Sequence, residues 1–220
     1  MKIFLFILVT FVVLAILIAL LFFFEIRTIY EKKNFSNIVY RRLNFLAEDC
    51  DYLLLNGVKL NLDPTTNKVT TFHHVLFADK YIYIIQDVFL EGGISGTYED
   101  TYLTIKDKKN EHSAKLNNFL LEQRSNIEML ARKLQIDPEE SFLFNIVVYN
   151  SDLIVSPNLQ RREYCEWFIP LRELIKLIKL SEKDGIKALK KEASKFIFDT
   201  LKDSSDTLKS YQNIEYPKVN

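Results

Sequence analysis

Apolar positions along this chain follow three patterns, and each predicts a different element. The first is continuous: Ile3 to Phe24 is a run of 22 residues with no charge and one hydroxyl, Thr10. As a helix it reaches about 33 Å, enough to cross a bilayer. A cleaved signal peptide would have a shorter apolar core and a small-x-small site after it. Phe22-Phe23-Phe24-Glu25 follows here instead, so the run reads as a retained anchor.

The second pattern is alternation, strongest in Thr70–Val88. Two β-rich stretches, Thr70–Phe77 and Tyr81–Asp87, meet at the polar pair Asp79-Lys80, which predicts a hairpin. Antiparallel pairing about that turn sets Ala78 against Tyr81 and His73 against Gln86. Side chains alternate between faces, so His73, Val75, Phe77, Ile82, Ile84, Gln86 and Val88 share one of them. Asp87 falls on the other, with His74.

The third pattern has helical spacing. Val39, Leu43 and Leu46 predict an amphipathic helix over Asn34–Asp49, capped by Asn34 or Ser36, after a helical juxtamembrane stretch Glu25–Lys33. Leu120, Ile127, Leu130 and Leu134 predict a helix over Lys115–Leu134. Pro170 opens a further helix to about Leu180. Ser181-Glu182-Lys183-Asp184 then reads as a capping box for a last helix striped by Ile186, Leu189, Ala193, Phe196, Ile197 and Leu201. Between these lie shorter strands: Tyr52–Leu55 and Val58–Leu62 about Asn56-Gly57 (a turn or a bend), Thr101–Ile105, Phe142–Tyr149, Leu153–Val155 and Trp167–Ile169. Asp63–Asn67 and Lys106–His112 read as polar loops, and the chain from Ser204 as a polar tail. The Gly92-Gly93-Ile94-Ser95-Gly96 cluster reads as a turn. No helix with a Lys-Ser/Thr ending follows it to make a phosphate cradle. One α/β domain on one anchor is the economical description.

Composition and charge narrow the function. Without Lys2 the chain carries 28 basic and 29 acidic residues. It therefore lacks the overall basic excess of a typical nucleic-acid binder, although a local patch stays open. Arg27, Lys32, Lys33, Arg41 and Arg42 follow the apolar run, whereas only Lys2 and the amino terminus precede it. The positive-inside rule then places the C-terminal part in the cytoplasm. Cys50 and Cys165 form no ligand spacing and read as small buried apolar residues. His112 reads as a solvated loop residue.

The order of these segments resembles the NERD (nuclease-related) family, relatives of the PD-(D/E)xK nucleases. Val39, Leu43 and Leu46 match the apolar positions of its early helix, and Tyr52–Val58 its next strand. Thr71–Val88 matches its hairpin at His74, Val75, Asp79, Lys80, Tyr83 and Ile85. Gly92–Gly96 resembles its G-x-I-x-G, Asn118 and Glu122 its N-P-x-x-Q, and Ile146–Tyr149 its late strand. The resemblance covers roughly residues 35–180. It implies a restriction-endonuclease-like α/β domain with a central mixed sheet flanked by helices. The implied organisation is an anchor over 1–25, a NERD-like domain over 26–180, and a C-terminal amphipathic helix and tail over 181–220.

The family's chemistry needs acidic oxygens on Mg²⁺ and a lysine beside the attacking water. Its early glutamate falls on Ser36, its hairpin aspartate on His73, its glutamate on Gln86 and its lysine on Val88. His and Gln are poor ligands for so hard a cation. They read instead as partners in a hydrogen bond across the strand pair, with His74 as a core or supporting residue. Asp87 and Glu91, or Glu99 and Asp100, are the acids able to substitute, and Asp87 would need a bulge or register change to do so. The expectation is a single-pass membrane protein with a degenerate, catalytically inactive domain, without catalytic residues, metal or cofactor, that binds or scaffolds at the membrane. The alternatives are a metal-dependent nuclease with relocated acids and an accessory subunit contacting a membrane-protein partner. The residue pattern identifies no ligand.

Overall fold

A computed structural model describes residues 2–63, 68–107, 112–136, 143–159, 165–184 and 191–202. Residues 64–67 of the expected polar loop Asp63–Asn67 and 108–111 of Lys106–His112, together with Ile186, Leu189 and the tail from Ser204, lie outside those residues. The chain divides into two compact units, Met1–Phe35 and Ser36–Asn220.

The first helix, α1 (Lys2–Cys50), is unbroken across both units. No new start falls at Asn34 or Ser36. Asn34 instead donates its side-chain amide to the Tyr30 carbonyl at 2.9 Å, as a residue inside a helix can. In the first unit the described apolar side chains from Val9 to Leu20, with Phe22, Phe23, Ile26 and Ile29, are exposed, Phe11 to 67% and Phe23 to 61%, whereas Phe35 is buried. Arg27 and Glu31 pair one turn apart at 2.8 Å. Among the described residues no helix is long and apolar enough to cross a membrane.

In the second unit α1 turns amphipathic and buries Val39, Leu43 and Leu46 as the spacing predicts. It ends where Asp51 takes φ 57° and Tyr52 N–H reaches back to the Ala47 carbonyl at 2.9 Å, a left-handed closure of the last turn.

A mixed five-stranded sheet follows, in the order β1-β2-β3-β7-β9. Its strands are β1 (Leu53–Asp63), β2 (Lys68–Phe77), β3 (Ile82–Val88), β7 (Leu143–Tyr149) and β9 (Glu166–Pro170). The predicted hairpin register holds: Phe77 pairs with Ile82 and His74 with Ile85, and Ala78 N–H meets the Tyr81 carbonyl at 3.0 Å across the Asp79-Lys80 turn. Asn56-Gly57 proves to be a bend inside one strand. Gly57 has φ 58° while the pairing with β2 keeps its register through it. β7 and β9 continue the sheet in parallel.

A second sheet has the order β6-β5-β4-β8, built from β4 (Gly93–Ser95), β5 (Tyr102–Lys106), β6 (Ser113–Asn117) and β8 (Ile154–Val155). It corrects the expectation of a single central sheet. The glycine cluster supplies a strand and not only a turn. Gly92 has φ 90°, and a Cβ there would stand 2.1 Å from the Lys106 carbonyl oxygen, so only glycine fits.

The predicted helix over Lys115–Leu134 starts later, as α2 (Phe119–Lys133). Residues 113–117 alternate exposed and half-buried as an edge strand. Asn118 stops them and caps α2: its Oδ1 accepts the Leu120 N–H at 3.0 Å. Its Nδ2 donates to the carbonyls of Thr97, Tyr98 and Asp100.

The last described helices are α3 (Leu174–Asp184) and α4 (Lys191–Lys202). The capping-box reading of Ser181 fails, because α3 runs through it. Ser181 Oγ bonds back to the Leu177 and Ile178 carbonyls, which lets a serine sit inside a helix. Glu182 instead accepts from Tyr83 Oη at 2.8 Å and Lys80 N at 2.9 Å, tying α3 to the hairpin turn. α2 and α4 pack on one face of the five-stranded sheet, with Ile127, Leu130, Ile197 and Leu201 against Val75, Phe77, Ile82 and Ile84. α1 and α3 lie on the other, through Ser36 to Asp87 and Ser181 to Tyr83.

Candidate functional site at the end of the central hairpin

β2 and β3 are paired as far as His74 and Ile85. One residue further the ladder gives way to side chains. Asp87 of β3 is fully buried and faces three groups through Oδ1. His73 Nδ1 lies at 2.7 Å, His74 Nε2 at 3.2 Å and Ser36 Oγ at 3.2 Å. His74 Nδ1 is 2.7 Å from the Asn56 side-chain amide. The partner of His73 is therefore Asp87, and the expected His73–Gln86 bond is replaced. By strict alternation the two belong to opposite faces. The end of the ladder frees the His73 ring to turn inward across the strand.

Charge explains why the arrangement closes on itself. Burial pushes the Asp87 carboxyl up, but the attraction and hydrogen bonds of His73 and His74 more than reverse this and hold it well below the usual carboxylate range. An ionised carboxylate only accepts, so His73 donates from Nδ1. The 3.3 Å approach of Asp87 N–H to the same nitrogen is secondary, because a protonated nitrogen cannot accept. Burial lowers His74, opposed by the hydrogen bond and charge of Asp87. A neutral His74 donates Nε2–H to Asp87 when the Asn56 amide turns its nitrogen toward Nδ1. That 180° rotation exchanges two atoms of nearly equal size.

The other expected positions separate. Val88 packs in an apolar cluster with Leu90, Ile94 and Phe168. Gln86 is half-buried on the α2 side, and Glu91 is exposed after β3. Glu99 pairs with Arg124 at 3.1 Å, and Asp100 accepts the Thr97 N–H at 2.7 Å. Cys50 and Cys165 are half-buried thiols, not the fully buried residues expected. Burial, and then Glu166, push the Cys165 thiol up to about 11, so it is not a nucleophile at neutral pH. His112 is exposed. Among the described residues no three His, Cys, Asp or Glu side chains are placed to hold a metal. A buried Asp87 already engaged by three neighbours offers Mg²⁺ neither a second carboxylate nor the water this ion keeps, so the residues present do not fit a magnesium centre.

Sequence reasoning missed one polar group on the α2 side. Asn145 of β7 stands opposite Ile84 and Glu166, and Gln123 of α2 donates to the Ile84 carbonyl at 3.3 Å. Arg124 binds Glu166 through Nε at 2.7 Å. The available signal was the gap between Leu120 and Ile127, where a predicted apolar stripe carries Gln123-Arg124. No family model, curated protein or solved structure matches this chain.

Proposed function

We propose that this chain is a single-pass membrane protein with a catalytically silent nuclease-like domain that binds or scaffolds at the bilayer. The observation that carries the proposal is the state of Asp87, which is fully buried and held by His73, His74 and Ser36. Among the described residues it is an acid drawn to positions where the resembled family keeps its metal ligands, and its Oδ1 is committed to the fold. Gln86 and Val88 replace the remaining charges. The antiparallel order β1-β2-β3, with β7 parallel to β3 after α2, supports a restriction-endonuclease-like core and the NERD resemblance.

The anchor is supported by the uncharged run Ile3–Phe24, by its helical state and by the exposed side chains from Val9 to Leu20 and at Phe22 and Phe23. An apolar surface of that kind is stable in lipid and costly in water. The cations after the run favour a cytoplasmic C-terminal unit.

Purified full-length chain in detergent, incubated with Mg²⁺ or Mn²⁺ and with linear, circular and single-stranded DNA and RNA, is expected to leave all of them intact. Metal-dependent cleavage that Asp87→Asn abolishes would overturn the silent-site reading and establish the relocated-acid nuclease. Cross-linking followed by identification of a co-purified membrane protein would point to the accessory-subunit role instead.

A further inference from the structure

The second sheet buries one face and leaves the other to solvent. Ile94, Leu103, Ile105 and Val155 join the apolar cluster on its inner side. Strand alternation turns their neighbours outward. There the register sets Tyr102 beside Asn117, Thr104 beside Lys115 and Lys106 beside Ser113, with Gly93 between Lys106 and Ile154. Ile154 is 72% exposed and Tyr102 52%, and Lys106 and Lys115 are exposed as well. Gly93 has no side chain to shield the Ile154 flank.

The face carries one sign of charge. Its outward strand positions hold two lysines and no carboxylate. Of the acids around it, Glu99 pairs with Arg124 and Asp100 accepts the Thr97 N–H. Asp107 and Asp152 lie off the strands, in the connections after β5 and before β8. Lys115 Nζ stands 6.0 Å from the centre of the Tyr102 ring, so cation and aromatic share one spot. A tyrosine, an exposed isoleucine and two long cationic stems are the groups that settle at a membrane interface. Their apolar parts enter the headgroup layer while the ammonium groups meet phosphate and carboxylate. We infer that the outer face of the second sheet docks on an anionic lipid surface, through Tyr102, Ile154, Lys106 and Lys115.

Magnitude separates lipid from nucleic acid, the other polyanion that lysines and an aromatic can hold. A protein that binds nucleic acid from solution makes roughly six to ten phosphate contacts, and two lysines fall well short of that. Ile154, the most exposed side chain of the patch, has no role on a phosphate backbone, whereas a lipid interface takes it in. A face tethered to its target also needs far less affinity. Each lysine held at an anionic leaflet gains about fivefold, and an anchor makes docking an intramolecular step. The inference rests on the anchor reading above and adds to it the lipid class and the residues that meet it.

Full-length chain is reconstituted in nanodiscs of phosphatidylcholine, with or without phosphatidylserine, each doped with lipid spin-labelled at the headgroup. Isoleucine methyl NMR signals are followed, Ile154 as the reporter and Ile146 of the central sheet as the control. Phosphatidylserine is expected to raise the broadening of Ile154 relative to Ile146 by about fivefold or more, and high salt to reverse it. The double variant Lys106→Glu, Lys115→Glu is expected to lose that response while the Ile94 and Ile105 signals keep their positions, which reports an intact sheet. Equal broadening of Ile154 in both lipids, or an undiminished response in the double variant, overturns the docking. So does a single-stranded oligonucleotide that shifts Ile154 in phosphatidylcholine discs where phosphatidylserine has no effect, because the face then belongs to nucleic acid. Chain that separates from discs of both compositions on size exclusion refutes the anchor and the docking built on it. Chain that stays on the discs with an unresponsive Ile154 refutes the docking alone.

Discussion

At the scale of the residue, Asp87 sets the terms. It is a buried carboxylate whose three neighbours come from α1 and β2. Asp87→Ala leaves two imidazoles and a hydroxyl facing a cavity. Chemical denaturation should register a loss of about 3–5 kcal/mol, the range for breaking a buried pair from one side. The pH dependence has a definite sign. His74 is lowered by burial, whereas an unfolded histidine titrates near about 6.5. Below that pH the unfolded chain takes up a proton that the folded chain refuses, so stability falls as pH falls. Asp87 lies below the usual carboxylate range, and its contribution is lost in the same direction below roughly pH 4. Denaturation midpoints measured from pH 7.5 to 4.5 should therefore decline, and His74→Gln should flatten the upper part of that decline. Gly92 is a separate case. Because its φ is 90° and a Cβ would meet the Lys106 carbonyl, Gly92→Ala should lower stability by more than about 1 kcal/mol in the same assay.

Elements show which local signals decided the structure. The hairpin was legible to the residue because its turn and its alternation agree on one register, and a shift of one position would have exposed Val75, Ile82 and Ile84. Its last step was not legible. The ladder ends beyond His74, and the His73 ring crosses to Asp87, a choice made by a buried charge and not by alternation. The start of α2 was misplaced because Lys115 and Leu116 suit a helix as well as a strand. Asn118 settles it by capping the helix while binding three carbonyls of the preceding loop. Asn118→Ala should therefore cost more than an ordinary cap, about 2–3 kcal/mol. Asn118→Asp keeps the cap but turns an oxygen toward those carbonyls, so it should not restore stability. Thermal melts of the pair separate the two roles. The tie between α3 and the hairpin predicts a smaller effect: Tyr83→Phe, which removes the hydroxyl shared by Ser181 and Glu182, should cost about 1 kcal/mol.

For the whole molecule, the two units pose different problems. Ser36–Asn220 buries a core on both faces of a five-stranded sheet and extends it beneath a second sheet. In Met1–Phe35 the described apolar side chains from Val9 to Leu20, with Phe22 and Phe23, stay outside, which is the ground for proposing an anchor. The full-length chain is expected to stay with membranes after alkaline carbonate washing, and a chain lacking residues 3–24 is expected to leave them. Retention of the shortened chain would assign membrane attachment to the second unit instead.

Local chemistry along the chain determined the uncharged helix, the hairpin and its register, the amphipathic stripe of α1, and most strand positions, because periodicity and turn residues act between near neighbours. Tertiary structure alone decided the second sheet, the continuation of α3 through Ser181, the capture of Asp87 by His73, His74 and Ser36, and the bond from Gln123 to the Ile84 carbonyl. Each of these depends on groups far apart in sequence meeting where water is excluded. There an unpaired charge or amide is costly enough to override the local preference.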